Sequence, residues 1–254
     1  MKLLIVSDLH IGAEDRNIFG WNSNQFTDQL LKLKLIHKID KIILNGDIFD
    51  LYRQPIEKIS NEHPEFLKFT ESKNVVYIRG NHDFLYSSAK ESYLTVNSKG
   101  KKIYIEHGHN ADFLNGTAAG RLVARITFRF INLMYKYQIV KNIVHRAVEY
   151  SDQIHTIPRK YDRYKYLNYA LRLLRTYDMV ILGHTHKPEI LKTWFLNQKK
   201  IYANSGTCSL GRFQALIADC EKLTVRVIKY SLKHRQDADL KKTSRKLKPK
   251  SIVV

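Results

Sequence analysis

Cysteine is nearly absent, with Cys208 and Cys220 the only two in 254 residues. Neither belongs to a Cys-x-x-Cys spacing, which excludes a thiolate zinc ribbon and a redox dithiol motif. Both are expected as reduced thiols in or near the core of a cytosolic protein. No apolar run approaches the roughly 20 residues of a membrane-spanning helix. The apolar start from Met1 to Val6 is cut off by Ser7 and Asp8, too soon for a secretory signal. The expected location is cytoplasmic. Acidic side chains are also scarce: 24 Asp and Glu stand against 43 Lys and Arg, a formal net charge of +19. Such an excess points to polyanionic company, namely nucleic acid, an anionic membrane surface or a phosphorylated substrate. A general bias toward Lys, Ile, Asn and Tyr competes as the source of part of it.

What is present is a series of short Ile- and Val-rich runs: Lys2 to Val6, Lys41 to Leu44, Val75 to Ile78, Ile103 to Ile105 and Met179 to Leu182. They read as buried strands. Between the first two, Phe26, Leu30, Leu33 and Ile36 recur at helical spacing, with Ser23 or Asn24 available as a cap, which gives a β-α-β opening. Ile201 to Asn204, Phe213 to Ala218 and Leu223 to Val227 are expected as antiparallel strands. Together these elements predict an α/β sandwich with a mixed or two-sheet centre.

Residues 110–178 differ from their surroundings. They carry two long helical patterns, around Ala118 to Val140 and Tyr161 to Leu174, and no convincing strand. On the first, Arg121, Arg125 and Arg129 form one stripe and Leu122, Ile126, Phe130, Leu133 and Tyr137 another. The expected organisation is a main domain over residues 1–232 with residues 110–178 as an inserted helical cap. Residues 233–254 form a basic tail, expected to be mobile or ordered by a partner.

Each early strand ends in a polar cluster. In order these hold Asp8 and His10; Asp47 and Asp50; Asn81, His82 and Asp83; His107 and His109; and His184 and His186. Carboxyl ends of strands are where open α/β sheets bind ligands. One such cluster is weak evidence, whereas five in series imply a shared site. Oxygen and imidazole donors without thiolate suit two divalent ions, Mn²⁺, Zn²⁺, Fe²⁺ or Co²⁺. Such a pair clamps a phosphoryl group and supplies hydroxide near neutral pH. The remaining histidines, His37, His63, His145, His155 and His234, are expected as plain surface residues.

The series D-x-H, G-D, G-N-H-D, a further His and G-H-x-H resembles the calcineurin-like metallophosphoesterase superfamily. The resemblance implies a four-layer α/β/β/α sandwich. It implies that Asp8, His10 and His186 hold one metal, that Asn81, His107 and His184 hold the other, and that Asp47 bridges them. It places His82 beside the scissile phosphate, with Asp83 expected to orient it. His107 is the expected ligand and His109 a substrate-facing neighbour, with the reverse assignment open. The stretches G-D-I-F-D-L-Y, G-N-H-D-F-L and G-H-T-H-K-P look most like the UDP-2,3-diacylglucosamine hydrolase branch. That likeness implies a lipid-linked pyrophosphate substrate, contacts from Arg121, Arg125 and Arg129, and a place at the inner face of the membrane. A nuclease or general phosphodiesterase is the alternative enzyme, and a non-catalytic metal-binding scaffold the alternative to an enzyme.

Overall fold

The computed structural model describes the chain except residues 14–16, 85, 113–116, 135–136, 138, 141–142, 144–145, 147–159 and 232–254. The basic tail therefore lies outside the described residues, as does most of the connection between the two cap helices. The chain opens with β1 (Lys2–Val6), α1 (Ser23–His37) and β2 (Lys41–Asn45). The two strands pair in parallel, with Leu3 opposite Lys41 and Val6 opposite Leu44. Parallel strands need a crossover, and α1 provides it. Phe26, Leu30 and Leu33 are buried, while Ile36 is 54% exposed; the stripe that faces the sheet does not extend to it. The cap is Asn22, whose side chain accepts from the amides of Asn24 and Gln25.

Two short helices, α2 (Ile56–Glu62) and α3 (Pro64–Thr70), lead into β3 (Val75–Ile78). Pro64 suits the first turn of α3, where its missing N–H costs nothing. Then follow β4 (Tyr93–Val96), β5 (Lys102–Ile105), α4 (Ala118–Met134), α5 (Lys160–Leu173) and β6 (Met179–Leu182). The chain continues through β7 (Glu189–Phe195), β8 (Gln198–Asn204), β9 (Arg212–Asp219) and β10 (Thr224–Ser231).

Among the described residues ten strands form two mixed sheets of five, ordered β10-β9-β1-β2-β3 and β4-β5-β6-β8-β7. Three apolar clusters define the layers. Phe26, Leu30 and Phe66 of the helices pack on Leu4, Val6, Ile42 and Leu44 outside the first sheet. Leu3, Ile5 and Ile43 meet Ile103, Ile105, Ile181 and Ile201 between the sheets. Ala170 and Leu174 cover Val180, Leu182 and Tyr202 outside the second. This is the α/β/β/α sandwich implied by the sequence. Cys208 and Cys220 are buried free thiols.

The strand expectations need two corrections. β8 runs antiparallel to β7 but parallel to β6, with Met179 opposite Ile201. The edge strands β4 and β7 are additional, since each buries little and neither shows a continuous apolar run. β5 and β6 are parallel neighbours, Ile103 opposite Met179, so the segment that joins them is an insertion in a single crossover. His63 is not a plain surface residue. Its Nδ1 lies 3.1 Å from Ser23 Oγ and its Nε2 3.0 Å from the Gly12 carbonyl, which joins the α2–α3 corner to α1 and the loop after β1.

Candidate metal centre

The parallel strands of both sheets end at the same place, and the chain turns sharply there. Asp8, His10, Asp47, His184 and His186 all adopt positive φ, between 51° and 69°. Non-glycine residues seldom occupy this region, and clusters of such residues mark functional sites. Two glycines make the approach close enough. A Cβ on Gly46 would strike the His107 ring, and one on Gly80 would strike the Asp47 carboxylate. The glycine in each motif is thus spent on letting a neighbouring ligand in.

Two groups of side chains meet. Asp8, His10 and His186 present ligand atoms within 4.8 Å of one another, as do Asp47, His107 and His184. His186 Nε2 is 3.1 Å from Asp8 Oδ1, and His107 Nε2 is 3.2 Å from Asp47 Oδ2. The groups adjoin, since His107 Nε2 is 3.9 Å from Asp8 Oδ1 and His10 Nε2 is 4.0 Å from Asp47 Oδ2. Asn81 is buried, and its Oδ1 has no hydrogen-bond partner. An orphaned, buried carbonyl oxygen fits a divalent cation, because leaving it unpaired costs roughly 1–3 kcal/mol. His107 Nδ1 donates to the Asn45 carbonyl at 2.8 Å, which fixes the tautomer that presents Nε2. Asp8 is fixed by the amide of His184, which donates to Oδ2 at 3.1 Å.

His82 joins the edge of this site, its ring 4.6 Å from His10 and 4.7 Å from Tyr52. It also shares a possible ligand group with His10 and Asp47. The expectation that Asp83 orients it is overturned. His82 Nδ1 lies 3.0 Å from Asp50 Oδ1, and Arg53 Nε lies 3.0 Å from the other Asp50 oxygen. Asp83 instead accepts from the amides of Gly80 and Ile48 and from the Tyr77 hydroxyl. Its place in the chain next to His82 turns the two side chains apart, and the three donors hold the carboxylate in the core.

His109 is buried with its ring 5.7 Å from that of His107. Among the described residues it belongs to none of the metal-type groups, so His107 is the histidine of its pair that the structure brings to the site. Arg121, Arg125 and Arg129 fall on α4, but their side chains lie outside those described. Tyr166 of α5 is an addition that no motif announced: its ring is 5.6 Å from that of His184.

The model of the calcineurin-like phosphoesterase family matches residues 1–188. The chain belongs to that family. Among solved structures it is similar to a dimetal phosphatase from Danio rerio, at 10% identity and a TM-score of 0.51 over 91% of this chain and 96% of that one. It is also similar to wild-type Vps29 complexed with zinc from Entamoeba histolytica, at 17% identity and a TM-score of 0.45 over 91% and 93%. The first is a likeness of fold. A search of curated proteins gave no match.

In this calcineurin-like phosphoesterase the site sets two carboxylates among several imidazoles, and their charges settle one another. Burial pushes the Asp8 carboxyl up, but His186 and His107 bring it down to about 2. Burial likewise opposes charge on His107, yet Asp47 and Asp8 carry it up to about 10. Burial and the neighbouring His82 take His10 down to about 3. Burial and His107 push His184 well below the ordinary imidazole range. Neutral His10 and His184 are ready donors, and His107 must release a proton to become one. Divalent metals suit this set.

Proposed function

We propose that the chain is a metal-dependent hydrolase that cleaves the pyrophosphate of a nucleotide-linked lipid, UDP-2,3-diacylglucosamine or a close relative. The observation that carries the hydrolase reading is the meeting of the Asp8–His10–His186 and Asp47–His107–His184 groups at one mouth. The first group would hold one ion, the second with Asn81 the other, and Asp47 would stand between them. Mn²⁺ is the proposed metal. When bound, two divalent ions supply charge that grips the phosphoryl oxygens and acidifies water.

The protein's own residues then divide the remaining work. Asp47 and Asp50 raise the affinity of His82 for a proton against the effect of burial. In this reading the imidazolium would stand where a leaving oxygen develops charge. Asp50 lies against Nδ1, and Nε2 would face the leaving oxygen.

The lipid part of the reading is supported by α4. Leu122, Ile126, Phe130 and Leu133 are 57% to 69% exposed, and the helix has three arginines and no acidic residue. An exposed apolar stripe on a basic helix suits acyl chains and the anionic inner face of a membrane. No described helix is long and apolar enough to cross one.

The test is turnover of a panel by Mn²⁺-loaded protein: UDP-2,3-diacylglucosamine, a simple phosphodiester, a phosphomonoester and single-stranded DNA, with Asp47→Ala as control. Release of UMP from the lipid nucleotide, lost in the variant, is the expected result. Turnover of DNA or the diester alone would keep the hydrolase and reject the lipid. No turnover with metal bound would leave a scaffold.

A further inference from the structure

Helix α5 is fastened on the second sheet by its apolar face and at one polar point. Lys165 Nζ is 2.8 Å from Asp112 Oδ1, which ties the helix to the short turn that contains His109. Glu106 Oε2 accepts from the Tyr104 hydroxyl at 3.1 Å, and burial together with this carboxylate pushes the Tyr169 hydroxyl of α5 up in pKa. Glu106 is 3% exposed and directly precedes His107. Successive residues of an extended chain turn to opposite faces. One strand end therefore presents His107 to Asp47 and Glu106 to α5.

Tyr166 follows Lys165, half-buried, with its ring 5.6 Å from that of His184 at 59° between planes. It is a rigidly placed aromatic wall beside a residue of the metal-type group. A group esterified to a phosphorus held beside His184 and directed toward α5 would meet that ring. A tyrosine face attracts flat rings by stacking.

We propose that Tyr166 is a specificity-determining residue that stacks on the nucleobase of the substrate, and that Lys165–Asp112 positions it. The proposal rests on the reading of the metal centre as a hydrolase of a nucleotide-linked phosphoester. It adds a contact to the base, where the apolar face of α4 accounts only for the lipid.

The experiment compares binding of UMP and ribose 5-phosphate to the Mn²⁺-loaded protein by calorimetry, in wild type, Tyr166→Phe and Tyr166→Ala. The two ligands differ only in the base. Wild type is expected to favour UMP by roughly tenfold or more, the size of one stacking contact. Tyr166→Phe should keep that preference, and Tyr166→Ala should lose it while binding ribose 5-phosphate unchanged. Equal affinities in the wild type would overturn the proposal. So would equal weakening of both ligands with a fall in bound metal, which would mean that Tyr166 only props His184. Turnover measured in parallel separates the two ideas: base-selective binding without hydrolysis would sink the hydrolase reading and leave Tyr166 as a binding residue.

Discussion

Asp50 Oδ1 lies 3.0 Å from Nδ1 of His82, and the adjacent carboxylate of Asp83 faces away into the core. Of two aspartates near one histidine, the more distant in sequence is its partner. Replacing Asp50 by Asn should therefore lower kcat by roughly tenfold to a hundredfold, as loss of an orienting carboxylate does. The pH profile carries the sign. Asp47 and Asp50 raise the pKa of His82, so activity that needs the imidazolium is lost as pH rises through that value. In Asp50→Asn the alkaline limb should move to lower pH; an unmoved limb would mean that His82 does not act as an acid.

Asp83→Ala should behave differently. It leaves the buried Tyr77 hydroxyl and the amides of Ile48 and Gly80 without their acceptor, each worth roughly 1–3 kcal/mol. The expected outcome is a large fall in Tm with no shift of the alkaline limb in whatever activity remains.

Gly80→Ala tests the close approach at the mouth. A Cβ there has no room beside Asp47, and overpacking of this kind costs about 1–3 kcal/mol. Denaturant unfolding should show that loss, and metal analysis should show less ion bound. Normal stability with full metal content would contradict the tight placement of Asp47.

Metal uptake should release protons. Without metal, Asp47 and Asp8 carry His107 up to about 10 against its burial, so at neutral pH it is protonated and must lose that proton to ligate. Calorimetry of Mn²⁺ binding in buffers of different ionisation enthalpy should report the release. Apparent affinity should climb as pH rises toward 10, and a flat profile would count against His107 as a ligand.

The metal-free protein should also lose stability in acid. Burial raises the Asp50 carboxyl, but Arg53 and His82 bring it down to about 2 from an ordinary 3.8. A depressed folded value gives stability that is whole above pH 3.8 and fades as pH falls through about 2. For this buried group the contribution is about 2 kcal/mol. Asp50→Asn should flatten the unfolding free energy over that interval.

Much of the site was legible because its residues sit in short motifs after apolar runs. Asp8, His10, Asp47, His107, His184 and His186 each follow a strand, and strands end where the buried run ends. Asp50 was visible in the same motif as Asp47, but its partner was not. A strand-end loop can aim neighbouring side chains in opposite directions, so sequence adjacency misassigned Asp83. The parallel course of β8 was hidden for a related reason: a single strand's composition does not record which neighbour it pairs with. Tyr166 had no signal, since its nearness to His184 arises from packing of α5 on the second sheet.

By itself the sequence determined the alternation of buried strands with polar ends, the supply of oxygen and imidazole ligands, and the insertion of helices before the last pair of histidines. Those are local properties, fixed by burial and by the period of the chain. The tertiary structure alone decided which carboxylate serves His82, that His107 and not His109 joins the metal-type group, and that the apolar stripe of α4 meets solvent. Each of those depends on distances between segments far apart in the chain, and only the packing of the two sheets sets them.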